Sequence, residues 1–482
     1  MRRLCTALAM LSLVACDTEP TFFASGAAGD VATDAPAADA ATDTTPASDA
    51  AAGPDDADTS ADDTSAGDAS EDDVTQDATP ELMLRSPFAD EASFEVETRG
   101  IFAFWWDPRF DHSGDVDLMY ERLETVRRES LDELGMADPP NPAAGYFYNV
   151  YIHHGEEDAF PNGWGNGQGT DELGMPYLTL PNGAHADVLN VYHEGFHIFQ
   201  YQAPSPGFAY AGDSQWYIEA TAQWFAAKNF RDDVNAFVEV AALSLNPHLT
   251  LWHSFSNEAP GDPTDWLFQV RQYGMHAYLL YLTEEAGVDP SIISRGFYEG
   301  TELSPQRYHY EAIGGEQLRG IFADWAAHNT GGFDYLTPEQ WQRAIQEADF
   351  VGDPDNRAPF AIEVSAADLP ASAAPEPRLA PRPWSYNVAR IALDGEAASI
   401  DLRLTGEATG ATGDAAHFEW RAVIVDASGP RYIALPMADA TSGSASIEIG
   451  ADDSEAYVVI ASVPESFGGN ATYPYTLTLS RL

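Results

Sequence analysis

The chain has 482 residues, enough for two or three domains, and 44% of them are hydrophobic. It carries 77 acidic and 23 basic side chains, which gives a formal net charge of −54. Nucleic acid is bound by clustered Lys and Arg, so this charge balance argues against a nucleic-acid partner. Two cysteines exclude a disulfide scaffold and a cysteine-rich zinc module.

The N-terminal segment combines two arginines with a short apolar run, MRRLCTALAMLSLVAC. The run is too short to span a bilayer, which predicts a signal peptide over residues 1–15. Its end, LVAC, resembles a bacterial lipobox, which implies cleavage before Cys16 and lipidation of that thiol. We therefore expect an extracytoplasmic cell-envelope lipoprotein, anchored by its lipid to the outer membrane or at the cell surface. The alternative is an ordinary signal peptide with an incidental cysteine.

Residues 16–80 are rich in Ala, Asp and Thr and contain no Lys or Arg. So few apolar side chains cannot offset the entropy lost on ordering, which predicts a disordered tether.

Residues 81–352 form the next predicted domain. Aromatic and β-branched runs predict strands at 100–106 and 146–153, and a glycine-rich loop over 161–174 leads to a third strand, Pro176–Leu180. Further along, the apolar spacing is mostly helical. Strands followed by helices indicate an α+β fold. Helices are predicted over 116–135, 184–202, 213–230, 232–245, 264–286, 289–298, 315–328 and 338–348.

The last part of the chain has a different pattern. Residues 353–383 are rich in Ala and Pro and are predicted to be a linker or edge segment. Residues 384–482 alternate apolar and polar side chains over seven short runs, which predicts an all-β sandwich domain. By analogy only, we expect this domain to bind substrate or envelope components.

A five-residue motif carries the chemistry. His193, Glu194 and His197 lie in the sequence HEGFH, which matches H-E-x-x-H. On a helix the two histidines are one turn apart on one face, so both imidazoles can reach a single ion. Glu194 would then lie beside that ion, where it can hold a water as general base.

A third ligand is expected from the next predicted helix. Glu219 is the only acid within an otherwise apolar helix of small and aromatic residues. A carboxylate in such surroundings needs a positive partner, and a metal ion supplies one. The alternative is that the motif holds two core histidines with ordinary hydrogen bonds.

These residues resemble the gluzincin zinc metallopeptidases, whose H-E-x-x-H helix is followed by a helix that supplies a Glu ligand. The resemblance implies one Zn²⁺ held by His193, His197 and Glu219. It further implies hydrolysis of peptide bonds by a zinc-activated water, with Glu194 as general base. Strand Pro176–Leu180 would be the edge strand that binds an extended peptide or protein substrate.

The resemblance has one departure. Thermolysin-like gluzincins carry an Asp four residues after the ligand Glu, and this chain has Gln223 there. Gln223 lies on the same helical face as Glu219 and could accept a hydrogen bond from a ligand histidine.

An oxyanion donor is also expected. Tyr273 and His276 are three residues apart on one predicted helix, beside Gly274. Either could stabilise the oxyanion, and the alternative for both is core packing.

Two rival functions remain open at the level of sequence. One is a non-catalytic surface binding or adhesion lipoprotein with a vestigial zinc site. The other is a hydrolase that cleaves another bond, such as a cell-wall amide.

Overall fold

The computed structural model describes residues 81–155, 160, 167–253, 271–348 and 357–482. The predicted signal peptide, Cys16 and the tether lie outside these residues, as do 161–166 of the glycine-rich loop and 264–270 of one predicted helix. Among the described helices, none is long and apolar enough to cross a bilayer.

The first sheet has the strand order β1-β2-β3-β5-β4. Its three central strands are parallel, and an antiparallel strand pairs at each edge. Strands β2 and β3 are buried along their whole length, which accounts for their continuous aromatic and β-branched runs. The strands are β1 (Glu95–Arg99), β2 (Phe102–Trp106), β3 (Tyr148–His153), β4 (Gly167–Thr170) and β5 (Pro176–Pro181).

The expected edge strand is not at the edge. Strand β5 pairs with β3 on one side and with β4 on the other, so the expectation for Pro176–Leu180 is wrong. The edge strand is β4, which forms from the glycine-rich stretch that was predicted to be a loop.

Helices cover the sheet and carry the candidate ligands. Helix α3 packs against α1, α4 and the last two strands of the sheet. The predicted helix over 232–245 starts as a 3-10 segment, Val234–Val240, before α5, and α6 continues into a π-helical segment, Tyr281–Glu285. The helices are α1 (Val116–Asp132), α2 (Pro140–Ala143), α3 (Val188–Gln200), α4 (Gln215–Asn229), α5 (Ala241–Leu245), α6 (His276–Leu280), α7 (Ser291–Tyr298), α8 (Pro305–Ile313), α9 (Gly315–Thr330) and α10 (Pro338–Ala348).

Two sheets at the C-terminal end face each other. Their orders are β11-β10-β13-β8-β6 and β12-β9-β14-β7. Alternate side chains from both sheets share one apolar cluster, as in a sandwich. The seven predicted strands correspond to β8 (Ser385–Ala392), β9 (Ala398–Gly406), β10 (Phe418–Asp426), β11 (Gly429–Ala434), β12 (Ser442–Ile449), β13 (Glu455–Ser462) and β14 (Tyr475–Arg481).

The stretch 353–383, predicted as a linker or edge segment, contributes to both of these sheets. Strand β6 (Ile362–Ser365) pairs parallel to β8, and β7 (Ala371–Ala373) pairs antiparallel to β14. Both are edge strands, where short length and nearby prolines are tolerated.

The sandwich is joined to the rest of the fold through helix α9. The outer face of its five-stranded sheet belongs to the same apolar cluster as α1, α3 and α4. Phe322 and Trp325 of α9 contact the rings of Trp384 and Tyr386, and Arg421 pairs with Asp324 at 2.6 Å. The α+β class expected from the sequence is confirmed, with a mixed sheet, a helical layer and C-terminal sheets that are antiparallel apart from the β6–β8 pair.

Candidate metal centre

Helix α3 starts and packs in a way that fixes the H-E-x-x-H motif. The Asp187 side chain accepts a hydrogen bond from the Asn190 backbone N–H at 3.1 Å and so caps the helix. Gly195, in the middle of the motif, faces α1 so closely that an added Cβ would meet Leu123 at 3.0 Å. Glycine at this position therefore lets α1 support the helix that presents both histidines.

Three ligand atoms converge between helices α3 and α4. His193 Nε2 lies 3.2 Å from His197 Nε2 and 3.2 Å from Glu219 Oε2, and His197 Nε2 lies 3.6 Å from the same oxygen. All three residues are buried. The structure thus brings together the three ligands that the sequence indicated.

This group fits a metal ion. Its ligand atoms all lie within 4.8 Å of one another, so among the described residues these three side chains form a group that could hold an ion. Ligands at about 2.0–2.1 Å from a tetrahedral centre are separated by about 3.3–3.4 Å. The three measured separations bracket that value, so the side chains already have the spacing that coordination requires.

Two glutamine amides orient the histidines. His193 Nδ1 donates to Gln223 Oε1 at 3.0 Å, and His197 Nδ1 donates to Gln200 Oε1 at 2.6 Å. A hydrogen on each Nδ1 leaves the Nε2 lone pair free to face the common point. Both imidazoles are therefore held in the tautomer that binds a metal.

The charged groups of the site shift one another's pKa values. Burial alone would raise the pKa of Glu219, but hydrogen bonds and charge from His193 and His197 outweigh it and lower that pKa well below its usual value. Burial alone would lower the pKa of His193, and the Glu219 and Glu194 carboxylates reverse this and raise it. The pocket therefore favours an ionised Glu219 carboxylate with positive charge beside it, and a metal ion would supply that charge.

Glu194 is buried beside the ligands without being one of them. Burial raises the pKa of its carboxyl group, and the neighbouring His193 and His197 oppose that rise. No described residue donates a hydrogen bond to its carboxylate. Glu194 thus stands next to the three ligands with its oxygens available to another group.

The two expected oxyanion donors have different surroundings. The Tyr273 ring is half-buried, with its centroid 5.9 Å from that of His193. His276 is fully buried, donates from Nδ1 to the Tyr273 carbonyl at 2.9 Å and packs on the Phe237 ring. Burial lowers its pKa to about 4. Tyr273 therefore lies at the site, whereas the described contacts of His276 are with the core.

The match to known families covers most of the chain. A model of a family of unknown function, DUF6055, matches residues 107–480. The chain belongs to the DUF6055 family. No curated protein matches it. Because the match begins just after β2 and ends within β14, it includes both the candidate metal centre of this DUF6055 protein and nearly all of the sandwich.

Sequence reasoning missed two residues of this DUF6055 site. Gln200, which orients His197, is three residues further along the same helix, so its spacing could have indicated it. Tyr210 lies in the loop between α3 and α4, where no periodicity identifies a residue. Its hydroxyl faces the Glu219 carboxylate, and burial together with that carboxylate raises its pKa.

Tyr210 also borders a cleft next to the ligands. The cleft has a volume of about 250 Å³ and is lined mainly by the loop that follows α3. Tyr201, at its rim, contacts both the His197 ring and the Tyr210 ring, with centroids 5.4 and 6.1 Å away. A pocket with aromatic and proline walls thus lies beside the DUF6055 site.

Proposed function

We propose that this protein is a zinc metallopeptidase. The observation that carries the proposal is the convergence of His193, His197 and Glu219 beside the buried Glu194 carboxylate. Two imidazoles and one carboxylate are a zinc ligand set that leaves a fourth position open, as catalytic sites require. A structural zinc site would normally be closed by a fourth side chain.

The roles of the residues follow from their positions. When bound, zinc supplies a Lewis acid that polarises the scissile carbonyl and makes a nearby water more acidic. Glu194 takes the proton of that water and passes it to the leaving amine. Tyr273 or Tyr210 donates a hydrogen bond to the developing oxyanion, since both hydroxyl-bearing rings border the ligand group.

Peptide is the favoured substrate class because of strand β4. It is one of the two edge strands that the described residues form in the first sheet, and it lies against α3, which carries the motif. An extended peptide can add to such an edge through main-chain hydrogen bonds. The cleft near Tyr201 and Tyr210 would then take an apolar side chain of that peptide.

We further propose that the enzyme acts outside the cytoplasm as a lipid-anchored protein. This rests on the lipobox-like end of the N-terminal segment, with Cys16 as the lipidated residue. The strongly acidic composition suits an exported protein that must stay soluble.

Substitution of the general base tests the mechanism. Glu194→Gln keeps the shape of the side chain but removes its basicity, so we expect hydrolysis of a casein substrate to fall by about 10²–10⁴-fold. Zinc content, measured by elemental analysis, should stay at the wild-type level because Glu194 is not a ligand. Glu121→Gln, on the exposed face of α1, is the matched control and should leave activity unchanged.

The same experiment separates the rival functions. Undiminished hydrolysis by the Glu194→Gln protein would rule out the proposed mechanism. Zinc binding by the wild type without chelator-sensitive cleavage of any peptide would favour a binding protein with a vestigial site. Cleavage of a cell-wall amide but of no peptide would keep the metal chemistry and change the substrate.

A further inference from the structure

A second group of polar side chains is buried where the metal-binding half meets the sandwich. The segment 247–253 runs there between the helical turn that contains Arg271 and the chain leading into β8. Backbone hydrogen bonds hold it to that chain, from Leu251 N to the Trp384 carbonyl at 2.9 Å and from Tyr386 N to the Pro247 carbonyl at 3.0 Å. The backbone of this junction is therefore held in position by both sides.

Arg271 is buried at this junction. It is only 2% exposed, and its two terminal nitrogens donate to the carbonyls of Ala242 and Leu249 at 3.1 and 3.2 Å. Its Nε has no hydrogen-bond partner. Carbonyl oxygens satisfy N–H groups but leave the positive charge uncompensated, which is costly in the interior of a protein.

A second guanidinium adds to that charge. Arg382 is half-buried nearby, and no carboxylate among the described residues forms an ion pair with Arg271 or Arg382. Burial lowers the pKa of Arg271 to about 10, and the neighbouring Arg382 charge also acts to lower it. Two cations thus repel each other at low dielectric without a counter-ion from the described chain.

Neutral polar atoms complete the group. His248 Nδ1 and the Thr250 hydroxyl are buried and have no hydrogen-bond partner. Burial, with the charges of Arg382 and Arg271, lowers the pKa of His248 to about 3, so that side chain is neutral at physiological pH. Buried polar atoms without partners are rare in folded proteins and need an explanation.

We propose that Arg271, Arg382, His248 and Thr250 form a binding site for a carboxylate anion, separate from the metal centre. The Nε–H of Arg271 has no partner, and together with the guanidinium of Arg382 it offers N–H donors that a carboxylate accepts. The Thr250 hydroxyl supplies a further donor. Because Arg382 is half-buried, it marks the side from which an anion enters.

The carboxylate has two possible sources, a free small acid or the C-terminus of a peptide. Both present the same chemistry to the guanidinium groups. A site of this kind joins the two halves of the fold, so its occupancy should stabilise the whole molecule by mass action.

Thermal unfolding of the full-length, zinc-loaded protein tests the site. Sodium acetate is titrated at constant ionic strength against sodium chloride, and we expect a saturable rise in the unfolding temperature. Arg382→Gln should raise the midpoint of that titration at least tenfold, because one of the two cations is lost. Arg271→Gln is a second variant, which removes the buried guanidinium. Because Arg271 is buried, this substitution can also prevent folding, so the proposal is judged on the Arg382→Gln protein.

The control is Arg403→Gln. Arg403 is exposed on β9, in the sheet that does not contain β8, so its loss should leave the midpoint unchanged. An unfolding temperature that does not respond to acetate, or an equal midpoint in the Arg382→Gln protein, overturns the proposal. The source is a peptide C-terminus if an N-acetylated dipeptide with a free carboxylate raises the unfolding temperature at lower concentration than acetate does, and if the C-terminal amide of that dipeptide does not raise it. Equal or weaker action of that acid identifies a free small acid.

Discussion

At the scale of single residues, two amides orient the histidines of the site. Gln200 is itself held by donating to the Ile218 carbonyl and to the Thr221 hydroxyl. Gln223 donates to the Ala236 carbonyl at 3.4 Å. These contacts fix which end of each amide faces the imidazole, so the amide oxygen always accepts from Nδ1. A neutral amide raises the basicity of the histidine less than a carboxylate would, but it orients the ring equally well.

Removal of either amide oxygen should weaken zinc binding. Gln200→Leu and Gln223→Leu keep most of the side-chain volume but leave His197 or His193 free to rotate and to change tautomer. We expect the zinc dissociation constant to rise by about 10–100-fold in each variant. Competition with a chromogenic chelator measures it.

A control for these variants lies at the end of α4, the helix that carries Gln223. Asn229 bonds only the Phe225 carbonyl among its described contacts, so Asn229→Ala should retain wild-type affinity. Wild-type affinity in both Gln variants would show that packing alone orients the two imidazoles.

Most of the ligand group could be predicted at this scale because helical geometry is local. The spacing of His193 and His197 places them on one face without any knowledge of the fold. Glu219 was indicated by the energetic cost of burying a lone carboxylate. Tyr210 could not be predicted, since its position depends on the path of a loop and on tertiary packing around Glu219.

At the scale of elements, the open edge of the first sheet depends on its glycines. Gly169 of β4 is crossed by the Tyr177 ring, to which an added Cβ would come within 2.3 Å. Glycine therefore lets an aromatic side chain of β5 lie flat across the edge strand. The sequence pattern of β5 predicted a strand but not the strand that pairs with it. That partner is β4, and its glycine-rich sequence predicts a loop.

Gly169→Ala should disturb the edge without touching the metal ligands. The new methyl group must displace the Tyr177 ring or the strand, at a cost of about 1–3 kcal/mol in the free energy of unfolding. If β4 binds the substrate, KM for a peptide should rise while zinc affinity stays constant. Steady-state kinetics on a fluorogenic peptide, with calorimetry, would measure both.

The matched control is Gly114→Ala, where an added Cβ meets no atom within 4 Å. It should leave KM and stability nearly unchanged. A Gly169→Ala protein that is destabilised but keeps its KM would place the substrate elsewhere on the surface.

At the scale of the whole molecule, the sandwich packs against the metal-binding half through helix α9. Its strands could be predicted from period-two alternation, which marks a sheet with one buried face. Strands β8, β10 and β13 are buried on both faces, because one face contacts the second sheet and the other contacts α9. That contact between distant parts of the chain has no local signal, so the sequence predicted a sandwich domain but not its packing against α9.

Two neighbouring valines of β13 test whether the molecule unfolds as one unit. Val458 faces the interior of the sandwich and Val459 faces α9, and both are fully buried. We expect Val458→Ala and Val459→Ala each to lower the free energy of unfolding by about 1–3 kcal/mol, through lost burial and a small cavity. Both should lower the temperature of one shared transition, at which zinc is also released. Near-UV circular dichroism and a zinc-sensitive dye, followed in the same thermal scan, report the two events.

The exposed Ser444→Ala on β12 is the control and should leave that temperature within error of the wild type. If the sandwich is instead an independent domain, Val458→Ala will lower the temperature of an earlier transition and leave zinc release unchanged. Val459→Ala would then affect zinc release through the α9 contact alone. The pair of adjacent substitutions therefore distinguishes a shared core from two domains, because the two side chains differ chiefly in the face of the sheet that they occupy.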